Sequence, residues 1–232
     1  MKTRFIKRPF ICRFFSREHL ICEVPTTEKK IFLTFDDGPV PEITPAILDI
    51  LKERNVKATF FCVGANVAAN HELLERLIGE GHAVGNHTYH HLHGWKSPPG
   101  AYVEDVTRCE ALFHTRLFRP PYGKFTPSQY LLLKDKYLFV MWSVLTHDYS
   151  RRVKPEQCLD IAIQNTRPGS IVLFHDSIKA AERVLFALPR FLDHFLEMGF
   201  RFEILEGREV MRSWGGGVNQ LPSALADGCG KK

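Results

Sequence analysis

The chain has 232 residues, of which 44% are hydrophobic and 25% are charged, and its formal net charge is +5. These proportions are typical of a globular protein and exclude a largely disordered chain, and the length favours a single domain. Six of the 31 basic residues fall within the first 18 residues, where Glu18 is the only acid. The rest of the chain is balanced in charge, which argues against a nucleic-acid-binding surface.

The basic N-terminal segment, residues 1–29, does not match a secretory signal peptide, because Pro9 and Arg13 interrupt its apolar stretch. Its composition would suit a peripheral contact of residues 1–18 with an anionic membrane, although a plain terminus is the favoured interpretation. No apolar run approaches the roughly 18 residues of a membrane span. The six cysteines are scattered, so neither a zinc knuckle nor a disulfide framework is predicted. Together these features favour a cytoplasmic protein.

Apolar runs alternate with helical patterns from residue 30 to 206. Strands are predicted at seven positions: 31–35, 58–63, 82–86, 117–120, 138–144, 170–175 and 201–205. Helices are predicted at 44–55, 71–81, 102–114, 126–136, 155–165 and 180–200, the last interrupted by Pro189. This alternation predicts parallel strands in either a closed barrel or a doubly wound open sheet. Residues 207–232 are rich in Gly and form a predicted flexible tail.

Polar residues follow most of the predicted strands at the point where each strand ends. In chain order these residues are Asp36 and Asp37, His87 and His91, Arg119 and Tyr122, Asp148, and finally His175 with Asp176. Because the carboxyl ends of parallel strands meet at one edge of a sheet, these side chains are expected to converge.

Two neighbouring carboxylates repel one another, which raises the question of what Asp36 and Asp37 bind. His87 and His91 are four residues apart, a spacing that would put both imidazoles on one face of a helical turn. Two imidazoles and one carboxylate suit a catalytic divalent metal, and the second carboxylate would then act as a base. Each pattern alone has an ordinary alternative, a turn for the aspartates and a surface pair for the histidines. Their occurrence together at successive strand ends favours the metal site.

Five motifs in this order, "TFDDGP", "HTYHH", "RPPYG", "HDY" and "LFHD", resemble those of the polysaccharide deacetylase family. The resemblance covers about residues 30–205. It implies a deformed (β/α) barrel of about seven parallel strands in one catalytic domain, residues 30–206. It also implies metal-dependent hydrolysis of an acetyl group.

The resemblance implies a role for each motif residue. Asp37, His87 and His91 are similar to the metal ligands, with zinc as the favoured ion and cobalt or nickel as alternatives. Asp36 resembles the general base, and Arg119 the arginine that orients this base.

By the same resemblance, His175 is similar to the general acid, and Asp148 to the carboxylate that adjusts the pKa of this acid. Tyr122 would supply a backbone N–H to the oxyanion and line the groove, and Leu173 with Tyr149 would form the acetyl pocket. Tyr149 stands where the family usually has Trp, and Leu145 stands where many members have a second aspartate, so the range of substrates is in question. Asp176 is interpreted as a loop cap.

The expected function is removal of N-linked acetyl groups from an acetylated amino-sugar polymer or oligosaccharide. Two alternatives stay open: an esterase that removes O-acetyl groups, and a catalytically silent sugar-binding protein on the same fold. His90 and His93 are interpreted as bystanders. The sequence leaves the oligomeric state undetermined.

Overall fold

The computed structural model describes residues 18–206. The predicted tail at 207–232 and most of the predicted membrane-contact segment lie outside these residues. Nine strands are present in the described part: β1 (Leu20–Ile21), β2 (Lys30–Asp36), β3 (Thr59–Cys62), β4 (Ala83–Asn86), β5 (Leu117–Phe118), β6 (Leu138–Val140), β7 (Val144–Leu145), β8 (Ile171–His175) and β9 (Arg201–Phe202). The seven α-helices of this part are α1 (Thr44–Glu53), α2 (Gly64–Ala69), α3 (His71–Gly79), α4 (Pro99–Arg108), α5 (Pro127–Leu133), α6 (Pro155–Asn165) and α7 (Ala181–Glu197).

The strands form one curled sheet in the order β1-β6-β5-β4-β3-β2-β8-β7, and β9 pairs with β2. All of these strand pairs are parallel. The helices follow the strands as crossover connections, so the predicted deformed (β/α) barrel is confirmed.

Strand β2 shows how the barrel positions its polar residues. Its odd-numbered residues Ile31, Leu33 and Phe35 pack in the largest apolar cluster with helices α1, α3, α6 and α7. Alternate residues of a strand point to opposite faces, so Phe32, Thr34 and Asp36 share the inner face. The even positions therefore carry a polar site above an apolar barrel interior that includes Phe32.

Several element bounds differ from the prediction. Strand β1 was missed because Leu20–Ile21 lies in the basic N-terminal segment, yet it pairs with β6. The predicted strand 138–144 is divided into β6 and β7, between which the chain moves to pair with β8. Helix α7 continues through Pro189, since its apolar face, including Phe191 and Phe195, is buried against the sheet. This packing outweighs the hydrogen bond that the proline cannot donate.

The cysteines correct one expectation. The scattered cysteines predict no disulfide framework, and Cys62, Cys109 and Cys158 are indeed free, but Cys22 is disulfide-bonded. Because disulfides are rare in the cytoplasm, the cysteines do not support the cytoplasmic location that the sequence favours. Within residues 18–206, none of the helices combines the length and the apolar character that crossing a membrane requires.

Candidate active site

The polar residues predicted at the strand ends lie along one edge of the sheet. Asp36 is the last residue of β2 and pairs in register with His175, the last residue of β8. His87 directly follows β4, and Arg119 directly follows β5. Because these parallel strands end at the same level, residues far apart in the chain meet at the rim of the barrel.

Asp37, His87 and His91 form a cluster that could hold a metal ion. Each offers one ligand atom, and these atoms lie within 4.8 Å of one another. Asp37 Oδ1 is 3.2 Å from His91 Nε2 and 3.8 Å from His87 Nε2. The two imidazoles therefore present the same ring nitrogen to the carboxylate.

The protonation states of this cluster fit a divalent cation. His87 Nδ1 lies 2.7 Å from the Arg119 carbonyl oxygen, which can only accept, so Nδ1 carries the proton and Nε2 keeps its lone pair. Burial lowers the pKa of His87 to about 4, which leaves the ring neutral at neutral pH. Burial alone would raise the pKa of Asp37, but the hydrogen bond from His91 and the nearby imidazoles outweigh it and lower this pKa. One carboxylate and two imidazoles are a donor set of zinc and related metals.

The spacing of His87 and His91 predicts a helical turn, but the structure has no helix there. Thr88 and His91 instead have positive φ values of 62° and 56°, so the segment bends sharply. Asp105 of α4 stabilises this bend, because its Oδ2 accepts hydrogen bonds from the backbone N–H groups of Tyr89 and His90, both at 3.0 Å. The His90 ring also contacts Asp105 Oδ1, so His90 packs against the residue that holds the bend, outside the metal cluster. In the sequence, Asp105 looks like any polar residue of an amphipathic helix.

Asp36 is buried beside a buried arginine. Arg119 Nη1 donates to Asp36 Oδ1 at 2.7 Å and to Thr34 Oγ1 at 2.9 Å. Its other nitrogens donate to the carbonyl oxygens of Val140 and Met141, each at 2.9 Å. The guanidinium is thus fixed on all sides, and it orients Asp36 while its charge compensates the carboxylate. The motif resemblance implies the pairing of Arg119 with Asp36, whereas the contacts of Arg119 with Thr34, Val140 and Met141 depend on the fold.

His175 and Asp148 form a second pair, in which Asp148 is buried and His175 is partly buried. Asp148 Oδ1 lies 2.7 Å from His175 Nδ1, and Asp148 Oδ2 accepts a hydrogen bond from the His175 backbone at 2.6 Å. Burial alone would lower the pKa of His175, but Asp148 outweighs it and raises this pKa to about 9. The imidazole is therefore protonated at neutral pH, and its Nε2 is left for other partners.

The three residues expected to contact substrate lie around these pairs. Tyr122 is exposed, has a φ of 59°, and its ring centroid is 4.7 Å from that of His91. Tyr149 is partly exposed, with its ring centroid 5.1 Å from that of His175. Leu173 is buried in β8, two residues before His175 and hence on the same face of the strand.

Asp176 anchors the loop that carries Asp37. Its Oδ1 accepts a hydrogen bond from Gly38 N at 2.9 Å, and its Oδ2 accepts one from Thr44 Oγ1 at 2.8 Å. A Cβ at Gly38 would lie 1.8 Å from Asp176 Oδ2, so only glycine permits this approach. Burial raises the pKa of Asp176 to about 8. The sequence interpretation of Asp176 as a loop cap therefore omits its contacts with Gly38 and Thr44, which are 138 and 132 residues away in the chain.

Comparisons with known proteins agree with this geometry. Residues 23–137 match the family model described as "Polysaccharide deacetylase". The chain is 35% identical over 188 residues to a peptidoglycan-N-acetylglucosamine deacetylase of Bacillus cereus, covering 78% of this chain and 88% of that protein. It is also 35% identical over 162 residues to a chitooligosaccharide deacetylase of Bradyrhizobium, covering 66% of this chain and 74% of that protein. The crystal structure of the Bc1960 peptidoglycan N-acetylglucosamine deacetylase superposes with a TM-score of 0.77 at 32% identity, over 81% of this chain and 91% of that one.

Proposed function

The chain belongs to the polysaccharide deacetylase family, and we propose that it is a hydrolase that removes N-linked acetyl groups from an acetylated amino-sugar polymer or oligosaccharide. The reaction breaks the amide C–N bond and releases acetate. One observation carries the proposal: the Asp37, His87 and His91 cluster adjoins a buried carboxylate, Asp36, whose register partner on β8 is a protonated imidazole.

Asp37, His87 and His91 would hold a divalent metal, with zinc favoured and cobalt or nickel as alternatives. A bound cation polarises the acetyl carbonyl and makes an adjacent water more acidic. Two sets of contacts orient the proposed ligands. The Arg119 carbonyl holds the His87 ring in one tautomer, and Asp105 holds the bend that carries His91.

Asp36 is the proposed general base, which takes a proton from the water that attacks the acetyl carbon. Arg119 engages Asp36 Oδ1, and the second oxygen, Oδ2, faces the metal cluster at 3.8 Å from His87 Nε2. The guanidinium also holds the carboxylate at a fixed angle, so the base need not reorganise during the reaction.

His175 is the proposed general acid. An amine is a poor leaving group unless its nitrogen is protonated, and His175 Nε2 would donate that proton as the C–N bond breaks. Asp148 keeps the ring protonated and oriented through Nδ1. The step balances as follows: the water oxygen becomes one oxygen of the acetate carboxylate, and the amine nitrogen takes a proton from His175 as the C–N bond breaks. One water proton passes to Asp36 and then restores His175, and the other is released from the new carboxyl group to the amine. Leu173 and Tyr149 would line the acetyl pocket, and the backbone N–H of Tyr122 would stabilise the oxyanion.

The decisive experiment is an acetate-release screen with metal-free protein reconstituted with zinc, cobalt or nickel. We expect acetate from N-acetylglucosamine oligomers or peptidoglycan strands, and much less from O-acetylated xylan. Asp36→Asn is the negative control on every substrate. Release from the xylan alone would establish the esterase instead, and binding of oligosaccharide without release by any metal form would establish the silent protein.

A further inference from the structure

A row of aromatic rings leads away from the metal cluster across the surface. The His91 ring lies 4.7 Å from Tyr122, Tyr122 stacks on His93 at 5.1 Å, and His93 lies 6.2 Å from Trp95, all between ring centroids. Trp95 ends the row and is 63% exposed. The row is therefore continuous with the proposed active site and ends in a large apolar ring open to solvent.

Trp95 is held rigidly although it is exposed. Its indole Nε1 donates to the carbonyl oxygen of Phe125 at 3.0 Å. The fully buried Gln129 donates to the carbonyl oxygens of Gly94 at 2.9 Å and Ser97 at 3.1 Å, which ties down both ends of the turn that carries Trp95.

Gly94 allows this turn to lie directly against the chain at residues 124 and 125. A Cβ at Gly94 would be 2.2 Å from the Lys124 carbonyl oxygen, so the backbones touch where a side chain would otherwise stand. The indole is consequently fixed relative to Tyr122, which belongs to the same segment as Lys124.

Folding alone does not explain a rigid, exposed indole, because most of its apolar area stays in water. A fixed aromatic ring offers a partner a large contact area at little further loss of side-chain freedom. The negative face of the ring attracts positively polarised groups, as the Lys124 ammonium 4.1 Å from its centroid demonstrates. The C–H groups on the face of a pyranose ring have this polarity as well, and the sugar's hydroxyls lie around its edge, within reach of an ammonium donor.

We propose that Trp95, together with Lys124, is a binding subsite for a pyranose ring of the glycan that is separated by at least one further sugar from the sugar that is deacetylated. The inference rests on the proposed function and extends it to the length of substrate. Tyr122 and His93 connect the two positions, so a long oligosaccharide contacts both the metal cluster and the indole, and a short one contacts the cluster alone.

The test compares Trp95→Ala with the unmodified protein on N-acetylglucosamine oligomers from dimer to pentamer. We expect KM for the pentamer to rise by about tenfold, with a fold-change that grows with chain length and with kcat nearly constant. Trp95→Phe, which keeps an aromatic ring, should restore most of the lost affinity, whereas Trp95→Leu, which keeps only apolar bulk, should not. Ile78→Ala, an exposed apolar residue of α3, is the matched control and should leave all constants unchanged.

Binding is measured separately in the Asp36→Asn background, where turnover does not interfere. Titration calorimetry should show that Trp95→Ala weakens binding of the pentamer about tenfold, after thermal melting has shown that the variant is folded. An equal fold-change for dimer and pentamer, or none, would overturn the subsite. A changed oligomeric state with unchanged oligosaccharide binding would also overturn it, in favour of a protein interface. If no form releases acetate but the binding difference persists, the proposed reaction fails and the subsite stands.

Discussion

The two ion pairs of the site lie at the ends of neighbouring strands and have opposite polarity. At the end of β2 a carboxylate, Asp36, is held by the cation of Arg119. At the end of β8 an imidazole, His175, is held by the anion of Asp148. The first pair thus presents a proton acceptor that is held by a permanent cation, and the second presents a proton donor that is stabilised by an anion.

The pairs also differ in exposure. The Asp36 side chain is 4% exposed and sits next to the metal cluster, whereas His175 is 13% exposed. This difference is what the proposed reaction needs, because water is activated deep in the site and the leaving amine stays attached to a bulky sugar outside. The comparison shows that the charged partner and the burial of each group decide which one accepts a proton and which one donates a proton.

The largest effect is expected from Asp36→Asn, which removes the acceptor of the first pair with almost no change in shape. Turnover should fall roughly 100- to 10,000-fold, because the amide cannot take a proton from water. Metal content by elemental analysis should stay the same. Loss of the metal in this variant would mean that the roles of Asp36 and Asp37 are reversed.

His87→Ala tests whether the metal binds next to the Asp36–Arg119 pair, through His87. We expect metal occupancy to fall sharply and activity with it, since the variant lacks one of the three proposed ligands, a buried one. His71→Ala, an exposed histidine of α3, is the matched control and should retain both. Unchanged metal content in His87→Ala would exclude it as a ligand.

Asp148→Asn should weaken the second pair and leave the metal in place. Without the carboxylate the pKa of His175 falls, so the alkaline limb of kcat/KM should move to lower pH. The pKa of His175 is raised by folding, from 6.5 to about 9, so the stabilisation by this pair is present below about pH 6.5 and is lost as the pH rises through about 9. Urea denaturation of the two proteins should therefore differ most at low pH and converge near pH 9. Asp160→Asn on α6 is the control, and an alkaline limb that does not move would remove His175 as the acid.

Asp105→Ala perturbs the metal cluster only through the bend that carries His91. The His90 N–H loses its acceptor, and the Tyr89 N–H keeps only the Asp105 carbonyl oxygen at 3.1 Å. This loss should lower the free energy of unfolding by about 1–3 kcal/mol and zinc affinity roughly 10- to 100-fold. Chelator competition measures the affinity. The exposed neighbour variant Glu104→Ala should change neither, and equal affinities in the two variants would contradict a positioning role for Asp105.

The smallest effect is expected from Tyr149→Trp beside the second pair. A larger ring next to His175 should narrow the acetyl pocket and reduce the rate on propionyl relative to acetyl substrates. Competition between the two acyl forms of one oligosaccharide gives this ratio directly. An unchanged ratio would remove Tyr149 from the pocket.

The sequence by itself determined the parallel (β/α) architecture and the convergence of Asp36, His87, Arg119 and His175 at one rim. Both conclusions follow from local patterns, namely apolar runs of strand length, helical periodicity between them, and polar residues at the strand ends. Such patterns are visible because each depends on residues close together in the chain. The same locality explains the errors: β1 has two residues in a basic segment, and the His87 to His91 spacing fits a helical turn as well as it fits a bend.

Only the tertiary structure decided the hydrogen bonds and the burial that hold these residues in place. Arg119 reaches Asp36 across 83 residues, and Asp176 reaches Gly38 across 138. In the sequence, Asp105 and Gln129 are indistinguishable from solvent-facing polar residues of amphipathic helices. In the structure both are buried, and they hold the segments of His91 and Trp95 by hydrogen bonds to the backbone. The physical reason is that burial and long-range hydrogen bonding depend on which segments pack together, and a polar residue has the same letter whether it faces water or a buried N–H group.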